Sequence, residues 1–589
     1  MKNIKKIMAL IVAMVMIVGA MSTVAFAAPG DLDHNNKLTV SGLGDTDTVK
    51  YYQILKWDPD NSEKDDDGNP VGWVWGDDVT IDDAEVTPKT VNGLKVVDII
   101  GTSDGENNIS FEEAGKLAAK LKTGKEDGVN TKGTWTVSGV DAGLYMVVVT
   151  SNTPGTMYNP IFVAANFIGG NESNIPGSSW IVTSDASYSN EAVAKKSEIP
   201  LTKTAEGHDA TANDLNDHDP NSVDVGEEID FTVTTTIPKF GSNYTDPVFE
   251  LKDVLEGLKL TGAPVVRAGD ENGTVLTAGA DKDYEVKEKG TAGADGYTIK
   301  FTKKYLDSVA DAGQKITITY SAEVTDAAAK IINEEKNTVT LSFSTNPTDT
   351  TGHGKLRDRT NHYTFSIDAD LLGDSDQESS TEAIKIGLDK DGNPIEASQT
   401  YWHGGTHPAL VGAEFGLYRT REDAAAENDQ YYTNDVFTTG KVTSDESGRL
   451  TINGLDAGTY YLKELKAPNG YIKDQKVIEV VITAEYETVP VKEVVDGVEV
   501  EYDTNQLKSY SVTVGGSTTT YSIAHSLSDI TESQVKRNPA SSDREIVNTK
   551  GVELPSTGGM GTTIFYIIGA VLVIGAGIVL VTRRRMSAN

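Results

Sequence analysis

The sequence predicts an all-β protein built from antiparallel β-sandwich domains in tandem. Apolar and polar residues alternate with a period of two in the stretches 231–237, 298–301, 315–320 and 337–343, which indicates strands with one buried face. Turns rich in Gly, Asp and Asn separate these stretches, as is typical of β-sandwiches. The length of 589 residues suffices for three or four domains, each large enough to bury a core.

Composition and charge exclude several classes of protein. The chain has 52 Lys and Arg against 88 Asp and Glu, which gives a net charge of −36, and it contains no long basic run. Nucleic-acid binding needs clustered cations that displace counterions from phosphates, so we expect no nucleic-acid partner. The chain has no Cys, which excludes disulfides, thiolate nucleophiles and Cys-based metal sites.

The N-terminus has the three parts of a secretory signal. Three lysines among the first six residues precede an apolar run, 7–18, and Ala25-Phe26-Ala27 follows it. A cationic head, a short apolar segment and small residues at the −3 and −1 positions predict cleavage after Ala27. An N-terminal membrane anchor is the alternative, but the run is too short to span a bilayer. We therefore expect residues 1–27 to be a signal peptide.

The C-terminus combines a short motif, an apolar stretch and a basic tail. Leu554-Pro555-Ser556-Thr557-Gly558 precedes the apolar stretch 562–582, and Arg583-Arg584-Arg585 follows it. About 20 apolar residues cross a bilayer, and the arginines would keep the C-terminus cytoplasmic. A plain single-span anchor would explain the stretch and the arginines, but not the motif. The order resembles the sorting signal of Gram-positive cell-wall proteins, which sortase cleaves between Thr and Gly. This implies that Thr557 ends the mature chain.

Repeated phrases and polar junctions divide the region between the two ends. Val140-Asp-Ala-Gly-Leu-Tyr145 recurs as Leu455-Asp-Ala-Gly-Thr-Tyr460, which suggests that the first and last domains share an architecture. Polar segments at 195–200 and 345–361 have the composition of junctions. We expect an N-terminal domain at 28–196, a middle domain at 197–350, a C-terminal domain at 351–552 and a sorting tail at 553–589.

We expect no metal and no cofactor. Asp31-Leu-Asp33-His-Asn35 begins like a calcium loop, but Asn36 takes the place of the Gly and Gly42 that of the final acid. His403 and His407 flank Gly-Gly-Thr, but zinc would need a third ligand that their neighbourhood does not offer.

Three polar residues of the middle domain are predicted to point into its core. By alternation, Asn337, Asp253 and Lys203 each share a strand face with the apolar residues of their own strand. Burying an amine and a carboxylate separately is costly, so we expect the three side chains to lie together.

The pattern alone leaves two interpretations of this set open. The commoner one is a structural ion pair between Lys203 and Asp253, with Asn337 completing the hydrogen bonds. The other is a reaction, since an amine in an apolar environment loses its proton more easily. A neutral Lys203 amine would attack the carboxamide carbon of Asn337, while a protonated Asp253 polarises the carbonyl and carries protons to the departing ammonia. The product is an amide cross-link made without an enzyme or a cofactor.

The motifs around these residues resemble the middle domain of sortase-assembled major pilins of Gram-positive bacteria. The resemblance rests on Lys203 at the start of the domain, on Lys-Asp-Val-Leu-Glu-Gly-Leu at 252–258 and on Asn-Thr-Val-Thr-Leu at 337–341. It implies an intramolecular isopeptide bond between Lys203 and Asn337, with Asp253 as the catalytic acid. It therefore favours the reactive interpretation.

The C-terminal domain resembles the collagen-adhesin B-type (CNA-B) sandwich of the same pilins. The matching phrases are 412–418 (GAEFGLY), 460–471 (YYLKELKAPNGY) and 546–550 (IVNTK). The resemblance implies that Glu464 is the catalytic acid and Asn548 the acceptor of a second isopeptide bond.

The donor lysine of this second bond is assigned by position. The family's usual Lys, two residues before the turn Asp, would fall on Gly387. Lys385 is the nearest lysine with the same parity, whereas Lys390 lies in the turn itself. Because Ile384 and Ile386 occupy the other strand face, an inward Lys385 requires both faces of its strand to be covered. We expect Lys385 to be the donor.

The first domain departs from this pattern but resembles the family at its end. Aligning its Asp-Ala-Gly-Leu-Tyr phrase puts Val149 in the place of the acid, so we expect no isopeptide bond there. Major pilins carry a polymerising lysine near this domain's end, commonly in Val-Tyr-Pro-Lys-Asn. Here Val193-Ala-Lys-Lys196 lacks the Tyr-Pro, and Lys196 takes the place of the Lys and Lys195 that of the Pro. An exposed junction lysine is ordinarily just solvated. The resemblance favours Lys196, with Lys195 next.

The resemblance implies a structural pilin subunit, not an enzyme. A class C sortase would join the Thr557 carbonyl to Lys196 of the next subunit, which gives an elongated fimbrium of identical subunits. A housekeeping sortase would attach the polymer to peptidoglycan, and minor pilins would be further partners. The alternative is a singly wall-anchored adhesin or a minor or basal pilin that binds a host or microbial ligand. A surface hydrolase would need a catalytic domain, for which the three domains leave no room.

Overall fold

The computed structural model describes residues 36–57, 73–79, 89–91, 94–96, 120–141, 143–165, 190–207, 219–240, 244, 246–288, 295–310, 313–325, 330–345, 349–369, 382–395, 409–428, 430, 441–524, 530, 534–538, 545–551 and 560–586. Residues 1–27, predicted to be a signal peptide, residues 31–35, the two histidines at 403 and 407 and the motif 554–558 lie outside these residues. The chain divides into two compact units, one made mainly of residues up to Ser197 and the other mainly of residues from Glu198 onward.

The first unit is a β-sandwich. One sheet has the strand order β11-β1-β7-β6 and the other β10-β8-β2-β3, and β12-β9 and β4-β5 form two further sheets of two strands each. Both sheets contribute to one core, which includes Tyr51, Trp135 and Tyr145. The strands are β1 (Asn36–Ser41), β2 (Thr48–Trp57), β3 (Trp73–Trp75), β4 (Lys89–Val91), β5 (Leu94–Val96), β6 (Val129–Thr131), β7 (Thr134–Val140), β8 (Gly143–Thr150), β9 (Thr156–Tyr158), β10 (Ile161–Ala165), β11 (Glu191–Val193) and β12 (Lys196–Glu198).

The second unit begins with two more sheets. One has the order β13-β14-β21-β17-β18, with β16 also on β21, and the other β19-β20-β15-β22-β23-β27, where β27 is Ile452–Leu455. Their elements are β13 (Leu201–Gly207), β14 (Glu228–Ile237), β15 (Phe249–Glu256), β16 (Leu258–Leu260), β17 (Val265–Ala268), β18 (Thr274–Val275), β19 (Tyr284–Glu288), β20 (Asp295–Phe301), α1 (Lys303–Ser308), β21 (Gln314–Val324), β22 (Ile332–Phe343) and β23 (Gly354–Ile367). The four stretches predicted as strands are confirmed as parts of β14, β20, β21 and β22.

The C-terminal part of this unit has a seven-stranded sheet, β26-β25-β28-β29-β30-β31-β32, and a parallel pair, β24-β33. Its elements are β24 (Ile384–Leu388), β25 (Glu414–Tyr418), α2 (Arg421–Ala426), β26 (Val442–Thr443), β27 (Ile452–Leu455), β28 (Gly458–Lys466), β29 (Val477–Val495), β30 (Val498–Val514), β31 (Ser517–Ile523), β32 (Val535–Asn538), β33 (Glu545–Thr549) and α3 (Met560–Met586). The 21 residues Tyr566–Met586 of α3 are long and apolar enough to cross a membrane.

Strand β23 joins the two halves of the second unit. It pairs with β22 from Gly354 to Phe365, and its end pairs with β27 through Phe365 and Leu455. The polar segment 345–361, expected to be a junction, therefore contains the first half of a strand. Its charged residues fit there because they have partners. Arg357 Nη1, for example, lies 3.0 Å from Glu493 Oε1.

The repeated Asp-Ala-Gly phrase has the same local geometry at both places. The Tyr145 hydroxyl donates to the Asp141 carbonyl at 2.8 Å, and the Tyr460 hydroxyl donates to the Asp456 carbonyl at 2.8 Å. A buried tyrosine needs a partner for its hydroxyl, and the turn four residues upstream supplies it.

Candidate cross-linking sites

The three polar residues of the middle region come from both of its sheets. Lys203 lies on β13 of one sheet, whereas Asp253 and Asn337 lie on the adjacent strands β15 and β22 of the other. The side chains of Lys203 and Asp253 are fully buried, and Asn337 is 0% exposed. The alternation of each strand places these residues on its core face, as in β15, where every second residue from Phe249 is buried.

A tyrosine hydroxyl joins the members of this set. The Nζ of Lys203 donates to both carboxylate oxygens of Asp253 at 2.7 Å and to the Tyr320 hydroxyl at 2.5 Å. The Tyr320 hydroxyl also accepts from Asn337 Nδ2 at 2.7 Å and donates to Asp253 Oδ2 at 2.7 Å. Sequence reasoning missed Tyr320. The alternation of 315–320 places it on a core face, where a hydroxyl needs a polar partner.

Burial sets the electrostatics of Lys203. Removal from water lowers the pKa of its amine, and the attraction of the Asp253 carboxylate opposes this lowering. The rings of Phe231 and Tyr320 lie 5.4 Å and 5.2 Å from its Nζ. In the described part of the chain, Asn337 Oδ1 has no hydrogen-bond partner. The set therefore holds a nucleophile, an acid and an amide whose carbonyl oxygen is unpaired.

The second set lies in the C-terminal part. The Nζ of Lys385 on β24 is 3.3 Å from Oε1 of Glu464 on β28. Asn548 on β33 donates its Nδ2 to Glu464 Oε2 at 2.8 Å and to the Ile472 carbonyl at 2.8 Å. The parallel pairing of β24 with β33 sets Lys385 beside Ile546, two residues before Asn548.

The second set is also withdrawn from water. Lys385 and Asn548 are 0% exposed and Glu464 is 1% exposed, and burial lowers the pKa of the Lys385 amine. Its neighbours Ile384 and Ile386 are buried too, so both faces of β24 are covered. Among the described residues, Lys385 Nζ, Glu464 Oε1 and Asn548 Oδ1 make no hydrogen bond. Buried polar groups left unpaired are costly, and an amide bond between Lys385 and Asn548 would remove the cost of burying the lysine amine.

The remaining predicted residues are distributed over the first unit and the tail. Val149 is buried on β8, within the apolar core. Lys195 and Lys196 are both exposed. The carbonyl of Lys195 accepts from the Asn159 amide at 3.0 Å, and Lys196 begins β12. Thr557 and the rest of the sorting motif lie beyond the described residues.

Comparison with known proteins adds two family models and two relatives. Residues 403–494 match the SpaA prealbumin-like fold domain, and residues 546–587 match the LPXTG cell wall anchor motif. The trypsin-resistant surface T6 protein of Streptococcus pyogenes serotype M6 is 27% identical over 523 residues, which cover 82% of this chain and 88% of that protein. The solved structure of the T6 backbone pilin of serotype M6 Streptococcus pyogenes has a TM-score of 0.52 at 18% identity, covering 89% of this chain and 100% of the other.

These similarities define the class of protein. The chain is a cell-wall-anchored surface protein of all-β fold, and its apolar helix α3 follows the anchor motif. The resemblance to sortase-assembled major pilins is confirmed, and the similarities point to a structural protein.

Proposed function

We propose that this protein is the major subunit of a covalent pilus, with two self-formed isopeptide bonds inside each subunit. The observation that carries the internal bonds is the recurrence of one constellation. Lys203, Asp253 and Asn337 lie together in the middle region, and a second buried Lys, acid and Asn lie together in the C-terminal part. A structural ion pair alone would not require an Asn amide in both places.

Each bond forms by attack of a lysine amine on an asparagine carboxamide. Burial favours the neutral amine, which is the nucleophilic form. The fold holds amine, acid and amide together, so the reaction is effectively unimolecular. The lysine nitrogen bonds to the carboxamide carbon, one amine proton moves to the leaving nitrogen, and ammonia departs.

Intact-mass measurement of the exported full chain tests the internal bonds. We expect the mass to fall short of the calculated value by two ammonia molecules, one for each constellation, and not by three. Peptide fragmentation should join position 203 to 337 and position 385 to 548. A full calculated mass would reject both bonds, and a third missing ammonia would contradict the expectation for the first domain.

Polymerisation would use the two ends of the mature chain. Sortase cleaves its substrates after the Thr of the sorting motif and transfers the new carbonyl to an amine, which would be Lys196 of the next subunit. Exposure of this residue is compatible with that role. The contact is heterologous and does not close, so it extends into a fibre. Peptidoglycan would receive the last subunit, and minor pilins would join the same polymer.

Lysine substitutions separate the shaft pilin from a singly anchored adhesin. Lys196→Arg should abolish the ladder of detergent-resistant polymers in cell-wall extracts, while the wall-attached monomer persists. Lys195→Arg is the matched control, because Lys195 is also exposed and is adjacent in the chain. A ladder that survives the double substitution would mean that neither lysine joins the subunits, as for a minor pilin carried on a shaft of another protein. A wild-type protein that gives the wall-attached monomer without a ladder would favour the singly anchored adhesin.

A further inference from the structure

We propose that Tyr320 is a catalytic residue in the formation of the bond between Lys203 and Asn337, where its hydroxyl passes a proton from the lysine nitrogen to the departing amide nitrogen. This inference rests on the proposed cross-linking and adds a residue to it.

The hydroxyl of Tyr320 touches both reacting nitrogens. It accepts from Lys203 Nζ at 2.5 Å and from Asn337 Nδ2 at 2.7 Å, and it donates to Asp253 Oδ2 at 2.7 Å. A proton leaving the lysine nitrogen and a proton arriving at the amide nitrogen can therefore pass through one oxygen atom.

The two constellations differ in how the acid meets the amide. In the C-terminal set, Glu464 Oε2 accepts directly from Asn548 Nδ2 at 2.8 Å. In the middle set, the hydrogen bond recorded for Asn337 Nδ2 within the described residues goes to the Tyr320 hydroxyl instead. Asp is shorter than Glu by one methylene group. The phenolic oxygen fills the gap that the shorter acid leaves.

The proposed reaction takes place once in each molecule, and its protons balance. The neutral Lys203 amine bonds to the carboxamide carbon of Asn337, its nitrogen becomes positively charged, and the electron pair of the C=O double bond moves to Oδ1, which becomes negatively charged. The lysine nitrogen gives one proton to the Tyr320 oxygen as the phenol gives its own proton to Nδ2, which now carries a lone pair. The pair on Oδ1 re-forms the carbonyl as the bond from carbon to Nδ2 breaks, ammonia leaves, and the phenol and the Asp253 carboxyl end as they began.

The surroundings fix the ring and keep the phenol neutral. Tyr320 stacks on Phe231 at 5.2 Å between ring centroids, and Tyr297 meets it edge-on at 5.0 Å. Burial, followed by the negative charge of Asp253, raises the pKa of Tyr320 well above its usual value. Bulk water cannot reach a fully buried site, so an internal group must move the proton.

Tyr320→Phe tests the inference, because it keeps the stacked ring and removes only the hydroxyl. After a translation pulse of the full chain, the loss of ammonia from the middle region should slow by on the order of 100-fold, as when a general acid–base group is removed. Tyr284→Phe, at another buried tyrosine of the same region, is the control and should react at the wild-type rate. Formation of the bond between Lys385 and Asn548 in the same molecules shows that the C-terminal part of the chain has folded.

Two further variants keep the test decisive if the hydroxyl also supports folding. Adding Asp253→Glu to Tyr320→Phe lengthens the acid, and should restore much of the rate by direct contact with Nδ2. Incorporating 3,5-difluorotyrosine at position 320 keeps the shape but makes the phenol more acidic, and should change the rate. A wild-type rate in both Tyr320→Phe and the fluorinated protein would overturn the role of Tyr320 and leave the cross-link standing. Absence of the bond from the wild-type protein would instead reject the proposed function.

Discussion

The Nζ of Lys385 lies 3.3 Å from Oε1 of Glu464, and neither side chain is exposed to water. A lysine and a glutamate removed from water are stable only as partners, since either one alone would be a buried unpaired charge. Their pairing defines the geometry into which Asn548 brings its amide.

Glu464→Gln should prevent the bond in the C-terminal part, because the Gln amide cannot pass a proton from the lysine nitrogen to the departing nitrogen of Asn548. We expect the variant to lose one ammonia molecule instead of two, and to melt at a lower temperature than the wild type. Intact-mass measurement and differential scanning calorimetry check both effects. Glu414→Gln is the control, since Glu414 is partly exposed and pairs with surface lysines. Unchanged loss of ammonia in the Glu464 variant would show that this carboxyl is not the acid.

Much of the fold follows from alternation alone. Period-two patterns locate β14, β15, β21 and β22 and the inward faces of Asp253 and Asn337, because a strand exposes its two sides in turn. The inward direction of the Lys385 side chain is harder to predict, because β24 is covered on both faces and burial does not alternate along it. Only the family resemblance and the position of Lys385 two residues before Gly387 predict its donor role.

Other features depend on partners that are distant in sequence. The polar stretch 354–361 belongs to β23, where its charges pair with residues more than a hundred positions away, such as Glu493. The sequence pattern predicts only that the Tyr320 side chain points inward from β21. Its contacts with Lys203 and Asn337 depend on how the two sheets face each other. Local patterns do not contain such relations.

Asn337→Ala should lower the stability of the second unit strongly. The bond from position 203 to 337 closes a long loop, and in the chain-entropy model its loss costs on the order of 4–5 kcal/mol. Urea unfolding followed by tyrosine fluorescence measures the change. Asn272→Ala is the control, because Asn272 is an exposed turn residue of the same region. Equal midpoints in the two variants would mean that no covalent bond had been lost.

Asp456 should make the stability of the second unit depend on pH. Its backbone amide donates to Asp224 Oδ1 at 2.8 Å, and Arg419 Nη2 donates to Asp224 Oδ2 at 2.7 Å. Burial, followed by the charge of Asp224, raises the pKa of Asp456 to about 8. The folded state therefore keeps a proton that the unfolded chain releases near pH 4, so the free energy of unfolding falls as the pH rises between these values.

The melting temperature should therefore fall between about pH 6.5 and pH 8, and Asp456→Asn should reduce this fall. Two other buried groups change protonation below this window. Burial lowers the pKa of His362 to about 4 and raises the pKa of Asp358 to about 6. Asp391→Asn, at an exposed turn, should leave the slope as in the wild type. An identical slope in the Asp456 variant would contradict the assignment.

The long hairpin of β29 and β30 should hold the two halves of the second unit together. The part of the hairpin near its tip extends past the other strands of the C-terminal sheet. This outer part lies along β23. There the Thr504 hydroxyl donates to the Arg359 carbonyl at 2.9 Å, and Asn361 Nδ2 donates to the Asn505 carbonyl at 2.9 Å. Val500 on this part is 0% exposed, whereas Val494 near the tip is 69% exposed.

Val500→Asp should detach the outer hairpin, because a carboxylate cannot remain unpaired in that buried position. We expect a loss of roughly 2–4 kcal/mol in the free energy of unfolding, and calorimetry should resolve two transitions where the wild type has one. Val494→Asp introduces the same charge on the exposed side, and should keep the single transition. If both variants melt as the wild type does, the hairpin does not couple the two halves, and β23 alone must carry the connection between them.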